Sequence, residues 1–136
     1  MKNKLIFRPL VEEDHKIICS WWKWWRWACP ERKNLPNNGT GGFMVQKDNT
    51  PIVCGFVYIS NSNLTWLEFI VSNPDYKQKD RKDAIKMLIT ECEKFCASIG
   101  KEIMFSIGRN KHLIEIHKEL GWSVDEKASY EIIKKI

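Results

Sequence analysis

The stretch Thr65–Ile107, TWLEFIVSNPDYKQKDRKDAIKMLITECEKFCASIGKEIMFSI, decides the fold. Its beginning, residues 65–72, has the composition of a strand, and residues 102–107 form a second apolar run of strand length. The apolar positions between them follow the three-four spacing of one buried helix face: Ile85, Leu88, Ile89, Cys92, Phe95, Cys96 and Ile99. Gly100 is a natural stop for that helix. Strand, helix and strand in this order predict a right-handed crossover between parallel strands, the second of them fully buried.

The segments on either side extend this unit into a mixed sheet. Before it we predict strands at residues 5–9, 42–46 and 52–60, and a first helix that opens at Val11 and runs to about Trp25. After it we predict a helix at Lys111–Leu120 and two final strands, Trp122–Val124 and Tyr130–Lys135. The order is β-α-β-β-β-α-β-α-β-β, an α/β fold whose mostly antiparallel sheet is flanked by helices. Without repeats or linkers, residues 1–136 are expected to form a single domain.

Composition narrows the class of protein. The chain carries a net charge of +5, which suits a phosphate-rich ligand or nucleic acid and does not choose between them. No apolar run approaches the roughly 20 residues needed to span a bilayer, and no secretory signal precedes the first strand. We therefore expect a cytoplasmic protein without membrane contact.

The cysteines support the same compartment. There are five, an odd number, and none stands in a Cys-x-x-Cys pair. We interpret them as small core residues that stay reduced. A zinc site needs paired Cys or His spacing, which His15, His112 and His117 do not supply, so we predict no structural metal.

Several motifs, together with the order of elements, resemble the GNAT superfamily of acetyl-CoA-dependent N-acetyltransferases. The resemblance covers nearly the whole chain and is most specific over residues 66–122. Within the superfamily the chain is most similar to small, phage-encoded acetyltransferase-like proteins. Four motifs carry that likeness: Trp21-Trp22, Leu35-Pro36-Asn37-Asn38-Gly39, Ser72-Asn73-Pro74, and Asn110 through to Gly121-Trp122.

Glu68 is the candidate general base. Strand alternation places Trp66, Glu68 and Ile70 on one face, and Leu67, Phe69 and Val71 on the other. A carboxylate on a covered strand is desolvated, which raises its pKa toward neutrality. The resemblance implies that Glu68 deprotonates the incoming amine, and that backbone groups of Ile70, Val71 and Ser72 bind the pantetheine arm. The alternative is a solvated or lysine-paired glutamate.

The basic segment at residues 77–86 is the candidate pyrophosphate site. The free N–H groups of a helix start attract phosphate, and nearby cations strengthen the attraction. The resemblance aligns Arg81, Lys82, Asp83 and Ala84 with the family's phosphate loop. Alanine at 84 and lysine at 86 replace its two glycines, which restricts how closely a phosphate can approach the backbone. The alternative is a solvated, lysine-rich first turn.

Two further groups of side chains complete the candidate site. By resemblance, Asn110 contacts the cofactor arm, and His117 stands where the family has a tyrosine that protonates the departing thiolate; a surface histidine is the alternative. On the first helix, Ile18, Trp21, Trp22 and Trp25 share a core face. Trp24 and Trp27 lie off that face, which makes them candidates for substrate contact, or else for packing or a protein-contact surface.

These features favour transfer of an acetyl group from acetyl-CoA to a primary amine, on a small molecule or a protein lysine. A catalytically weak GNAT-like binding module that contacts a host protein or nucleic acid is the alternative, and an acetyltransferase acting on nucleic acid is a third, less favoured hypothesis. For a phage-encoded protein the location is the host cytoplasm. The predicted strand at Tyr130–Ile136 offers an edge for pairing in a homodimer.

Overall fold

The computed structural model describes residues 4–127 and 129–136. Its helices and strands are β1 (Leu5–Pro9), α1 (Asp14–Trp24), β2 (Gly42–Lys47), β3 (Thr50–Ile59), β4 (Leu64–Ser72), α2 (Arg81–Ser98), β5 (Ile103–Phe105) and α3 (Lys111–Glu119). The five strands form one sheet in the order of the chain. Strands β1 to β4 pair antiparallel, and β5 pairs parallel with β4 after the crossover through α2, as predicted.

Each face of the sheet is covered by one long helix. Helix α2 packs Leu88, Ile89 and Cys92 onto the first face, where they meet strand residues such as Val53 and Leu67. Helix α1 packs Ile18, Trp21 and Trp22 onto the second face, against Phe56 and its neighbours. The apolar stripes predicted for both helices are therefore core for most of their length; Trp25 is half-buried, and Ile99 at the end of α2 is exposed. Burying a side chain of this size contributes about 1.5–3 kcal/mol, so these two faces hold the sheet in place.

The end of α1 reverses the chain. Arg26 adopts a left-handed φ of 63°, its N–H donates to Lys23 O, and Trp27 N–H donates to Trp22 O at 2.9 Å. These two bonds are the pattern of a Schellman C-cap. The segment that follows, residues 27–30, is thereby directed back along the helix it has just left.

The far edge of the sheet departs from the prediction. Strand β5 has only three residues, and Ile103 and Phe105 are 51% and 46% exposed instead of fully buried. Among the described residues no strand follows α3, so the predicted strands Trp122–Val124 and Tyr130–Lys135 are wrong. The apolar residues 130, 132, 133 and 136 do not alternate, so they give no single face to bury, and all four are exposed. None of the described helices has the length and apolar character that a membrane crossing requires.

The cysteines divide into two groups. Cys54, Cys92 and Cys96 are buried free thiols, as predicted, and burial raises the pKa of each. Cys19 and Cys29 are joined in a disulfide, so the prediction of reduced cysteines is wrong for this pair. The chain reversal after α1 brings Cys29 back to Cys19, a contact that sequence spacing does not reveal.

Candidate functional site

Strands β4 and β5 separate part of the way along β4. Their ladder joins Leu64 to Ile103, Thr65 to Met104 and Trp66 to Phe105, and it ends there. From residue 67 to residue 72, β4 has no strand partner on this side within the described part of the chain. Backbone groups of Ile70, Val71 and Ser72 therefore lie on an edge of the sheet that β5 leaves open.

A β-bulge reshapes the same half of β4. The register with β3 shifts between Cys54 and Phe56, and Phe69 takes a left-handed φ of 55°. As a result Leu67 packs on the α2 face, whereas Val71 packs on the α1 face. The prediction that Leu67, Phe69 and Val71 share one face is wrong, because a bulge inserts an extra residue and reverses the alternation beyond it.

Glu68 lies at the point of separation. It pairs in register with Phe56, which places it on the α1 face, and its Oε1 accepts a hydrogen bond of 3.0 Å from Ile107 N–H. Burial raises the pKa of Glu68 to about 7, and the charge of Glu131 adds to the rise, while the bond from Ile107 opposes it. The carboxyl group therefore changes protonation state near neutral pH, as a general base requires.

The start of α2 lies beside the end of β4. Asp80 stands at the N-cap but makes no side-chain cap bond; its carboxylate instead accepts from Lys47 Nζ at 2.8 Å and Tyr76 OH at 2.5 Å. These donors lower the pKa of Asp80. The N–H groups of Lys82 and Asp83 consequently donate to no acceptor among the described residues. Such amides, at the positive end of the helix dipole, suit an anion.

Some side chains around this helix start are bonded to other protein groups, and others are exposed without an ion pair among the described residues. Arg81 donates to Ser72 Oγ at 2.6 Å, which ties α2 to the open edge of β4. Lys82 and Lys86 both pair with Glu119 of α3. Lys77 and Lys79 are exposed and form no ion pair in the described part of the chain. A depression of about 310 Å³ lined by Lys47, Gln78, Lys79 and Asp80 adjoins them.

Ala84 does not obstruct the helix start. Its side chain is fully buried in the core on the α2 face, and its N–H donates to Asp80 O at 2.9 Å. The methyl group that replaces a glycine therefore faces inward. Lys86, in the second glycine position, is held against α3 by Glu119 Oε2 at 3.0 Å.

Trp25 belongs to this site, although the sequence pattern assigned it to the core. Its indole Nε1–H donates to Ser72 O at 3.0 Å, and the Arg81 guanidinium lies 6.0 Å from its ring centre. A buried or half-buried indole N–H needs an acceptor, and that requirement is the one sequence signal that pointed beyond simple packing. Trp24 and Trp27 are 58% and 57% exposed, and the Trp24 ring lies edge-on to Trp25.

Asn110 and His117, the two site residues predicted from the α3 segment, differ in burial. Asn110 is exposed and caps α3, its Oδ1 accepting from Leu113 N–H at 3.1 Å. His117 is buried: its Nδ1 lies 2.8 Å from Leu113 O, its ring contacts Trp122 edge-on, and its Nε2 has no partner among the described residues. No hydrogen bond joins Glu68 to His117 in that part of the chain.

Comparisons with known proteins place this geometry on a known fold. No family model matches the chain, and no curated protein sequence does. Among solved structures, aminoglycoside N-acetyltransferase AAC(6')-Iy bound to a CoA bisubstrate analogue is 17% identical, with 97% and 99% of the two chains covered and a TM-score of 0.69. A GCN5-related N-acetyltransferase from Ralstonia eutropha is 14% identical, with 95% and 99% covered and a TM-score of 0.64.

A third solved structure matches over part of its length. N-acetylglutamate synthase from Neisseria gonorrhoeae, complexed with coenzyme A and L-arginine, is 13% identical with a TM-score of 0.74; the match covers 93% of this chain and 28% of that one. At such low identities, likeness of structure establishes the fold alone. This likeness, a mixed sheet with flanking helices matched over nearly the whole chain, shows that the chain has the fold of the GNAT acetyltransferases.

Proposed function

We propose that this protein is an N-acetyltransferase that moves an acetyl group from acetyl-CoA to a primary amine of an unidentified acceptor. The observation that carries the proposal is the position of Glu68. A half-buried carboxyl group with its pKa raised to about 7 lies where β4 and β5 part. The open strand edge continues from it toward an uncapped helix start. Base, strand edge and helix start follow one another along the chain, and Arg81 at the helix start bonds to Ser72 at the end of that strand edge.

The residues present fit acetyl-CoA. Ile70, Val71 and Ser72 would bind the pantetheine arm through their backbone, in the manner of an added strand. The N–H groups of Lys82 and Asp83 would bind the pyrophosphate, with Arg81 beside them. Because the Ala84 methyl group is buried in the core, it does not keep a phosphate from these amides. When bound, acetyl-CoA supplies the activated acyl thioester.

Glu68 would accept the proton that the ammonium form of the acceptor must lose before it can react. The raised pKa sets the direction of the pH dependence: below about pH 7 the carboxyl group is protonated and cannot act as a base, and above it the carboxylate can. Turnover should therefore rise as the pH increases through about 7.

The remaining candidates take supporting places in this proposal. The exposed rings of Trp24 and Trp27 would contact the acceptor, and Trp25 would hold Ser72 and Arg81 in position. For His117 to return a proton to sulfur, its buried Nε2 must become accessible when the substrates bind. Asn110 could contact the cofactor arm through its amide nitrogen while its oxygen caps α3.

The class of acceptor is supported by the neighbouring structures. One neighbour is bound to the bisubstrate analogue CoA-S-monomethyl-acetylneamine, and another is complexed with coenzyme A and the amine-bearing molecule L-arginine. An amine on a small molecule or on a protein lysine remains the proposed acceptor. The likeness to phage-encoded proteins, the cytoplasmic location, the single domain and the homodimer stay predictions.

The test compares Glu68→Gln with Glu115→Gln, which alters an exposed carboxylate on α3. Calorimetry should show that wild type and both variants bind acetyl-CoA equally. With an amine panel and a thiol-release assay, Glu68→Gln should lower kcat about 100-fold, because general bases typically contribute roughly 10²–10⁴-fold. The variant should also lose the rise in rate near pH 7, and Glu115→Gln should keep it. Undiminished turnover by Glu68→Gln would remove Glu68 from the mechanism, and absence of acetyl-CoA binding would leave a GNAT-shaped binding module.

A further inference from the structure

A cluster of three side chains of types that can bind a metal lies beside α1, apart from the residues of the proposed transferase site. His15 and Cys19 are one helical turn apart, so they lie on one face of α1. The reversed segment after α1 adds Cys29 to them. His15 Nε2 lies 3.6 Å from Cys19 Sγ and 3.8 Å from Cys29 Sγ, and the three candidate ligand atoms all lie within 4.8 Å of one another.

The distances from the imidazole to the two sulfur atoms already match those of a zinc site. Tetrahedral zinc with Zn–N of about 2.0–2.1 Å and Zn–S of about 2.3 Å requires nitrogen and sulfur ligands to be about 3.6 Å apart. Only the two sulfur atoms are too close, because they are bonded to each other. Pro30 O lies 3.2 Å from His15 Nε2 and 3.5 Å from Cys29 Sγ, so a fourth oxygen donor, this carbonyl or a water beside it, fits the same space.

We propose that, once the disulfide is reduced, His15, Cys19 and Cys29 bind one Zn²⁺ ion through Nε2 and the two Sγ atoms. Two thiolates and an imidazole form a ligand set that zinc prefers over harder cations such as Mg²⁺ and Ca²⁺. The disulfide form cannot supply the thiolates. The site therefore binds metal in one redox state only.

Reduction of the Cys19–Cys29 disulfide requires two electrons and two protons, which a dithiol reductant supplies. The dithiol transfers two electrons and two protons: its own S–S bond forms, the Cys19–Cys29 bond breaks, and two thiols result. Binding of Zn²⁺ then releases one proton from each thiol. In the disulfide form the tautomer with a proton on His15 Nε2 donates a hydrogen bond to Pro30 O; in the zinc-bound form the imidazole proton is on Nδ1, and the Nε2 lone pair faces the metal.

The site would act on the segment that carries the exposed tryptophans. Trp24 ends α1 and Trp27 lies two residues before Cys29, so either the disulfide or the metal closes the loop on which both side chains are presented. This inference does not rest on the proposed acetyl transfer, because none of its three ligands is among the residues proposed for that reaction.

The experiment titrates Zn²⁺ into protein reduced with a dithiol and desalted without oxygen, in competition with a chromophoric chelator. We expect one ion per chain, and a thiolate-to-metal charge-transfer band when Co²⁺ replaces Zn²⁺. His15→Asn should weaken Zn²⁺ binding by about 100-fold or more, since even the partners of metal ligands are worth roughly 10–100-fold. The matched control His112→Asn, at an exposed histidine of α3, should bind as wild type does.

Two further measurements exclude the other thiols and the oxidised form. Cys92→Ala removes a buried thiol outside the cluster and should keep one-to-one binding. Protein left in the disulfide form should bind no Zn²⁺. Failure of reduced wild-type protein to bind one ion, or binding by His15→Asn equal to that of wild type, would overturn the proposal and leave a structural disulfide with a histidine packed beside it.

Discussion

Helices α2 and α3 share one backbone hydrogen bond at their starts but differ in N-cap conformation and in how their first N–H groups are used: ψ is 8° at Asp80 and 118° at Asn110. In each, the N–H of the fourth residue bonds to the N-cap carbonyl: Ala84 to Asp80 O and Ile114 to Asn110 O. In α3 the Asn110 side chain also accepts from Leu113 N–H. In α2 the equivalent N–H, that of Asp83, receives no cap, because the Asp80 carboxylate bonds to Lys47 and Tyr76.

The difference shows how a helix start becomes available to a ligand. Both N-cap residues belong to the types that cap helices well, but only Asn110 has the extended backbone that is typical of a capping residue. At α2 the Asp80 carboxylate bonds instead to Lys47 of β2 and to Tyr76 of the loop before the helix. The amides left without acceptors are those beside the open edge of β4, where the proposed pyrophosphate lies.

The largest effect should come from reversing charge at one helix start and then at the other. Lys79→Glu should weaken acetyl-CoA binding by about 10–100-fold, because it places a negative charge beside the phosphates in place of a charge-assisted contact. Lys111→Glu makes the same change at the start of α3 and should alter the dissociation constant less than about threefold. Calorimetry at two salt concentrations would measure both, and salt should diminish the effect of Lys79→Glu.

Equal losses in the two lysine variants would contradict the distinction between the helix starts. They would indicate that acetyl-CoA responds to the overall positive charge of the protein and not to the amides of α2.

The helices and the antiparallel strands could be predicted from the sequence because their apolar patterns are long and local. The stripe from Ile85 to Cys96 packs on the core as predicted, whereas Ile99 is 43% exposed, and β2 to β4 begin and end within two residues of expectation. Prediction from apolar patterns failed at the β5 edge of the sheet. β5 and the C-terminal residues have short or irregular patterns, and nothing local in them specifies a partner strand.

Within the site, the sequence predicted Glu68 but not the bulge beside it. The signal available was Gly55, since a glycine inside a strand often marks a bulge or a close approach. A Cβ there would lie 3.1 Å from Leu67 Cδ1 and 3.3 Å from Ile70 Cγ1, so the glycine allows the two strands to fit around the irregularity. The destination of the Asp80 carboxylate had no local signal, because Lys47 lies 33 residues earlier in the chain.

A second, smaller effect should follow when Ala84→Gly restores the glycine of the family motif. The variant should lose about 2 kcal/mol of unfolding free energy: about 1 for the helix propensity of glycine and about 0.8 for the buried methyl group. Its affinity for acetyl-CoA should stay within about twofold of wild type, because the methyl group faces the core. Urea denaturation and calorimetry measure the two quantities.

Ala97→Gly is the matched control, since Ala97 is exposed near the other end of α2. It should lose only the propensity contribution, about 1 kcal/mol. If Ala84→Gly instead bound acetyl-CoA about tenfold more tightly, the alanine would be limiting the approach of the phosphate, and α2 would not be the open helix start described above.

The smallest effect concerns Asn110, whose oxygen caps α3 while its amide nitrogen makes no hydrogen bond within the described residues. Asn110→Ala should lower the unfolding free energy by about 1 kcal/mol through loss of the cap. Asn110→Asp keeps a capping oxygen and removes only the N–H donors, so its stability in urea should match that of wild type. If Asn110 serves the helix alone, both variants bind acetyl-CoA as wild type does. A several-fold loss of affinity in Asn110→Asp at unchanged stability would show that the amide donates to the cofactor arm, and that both helix starts contribute to its binding.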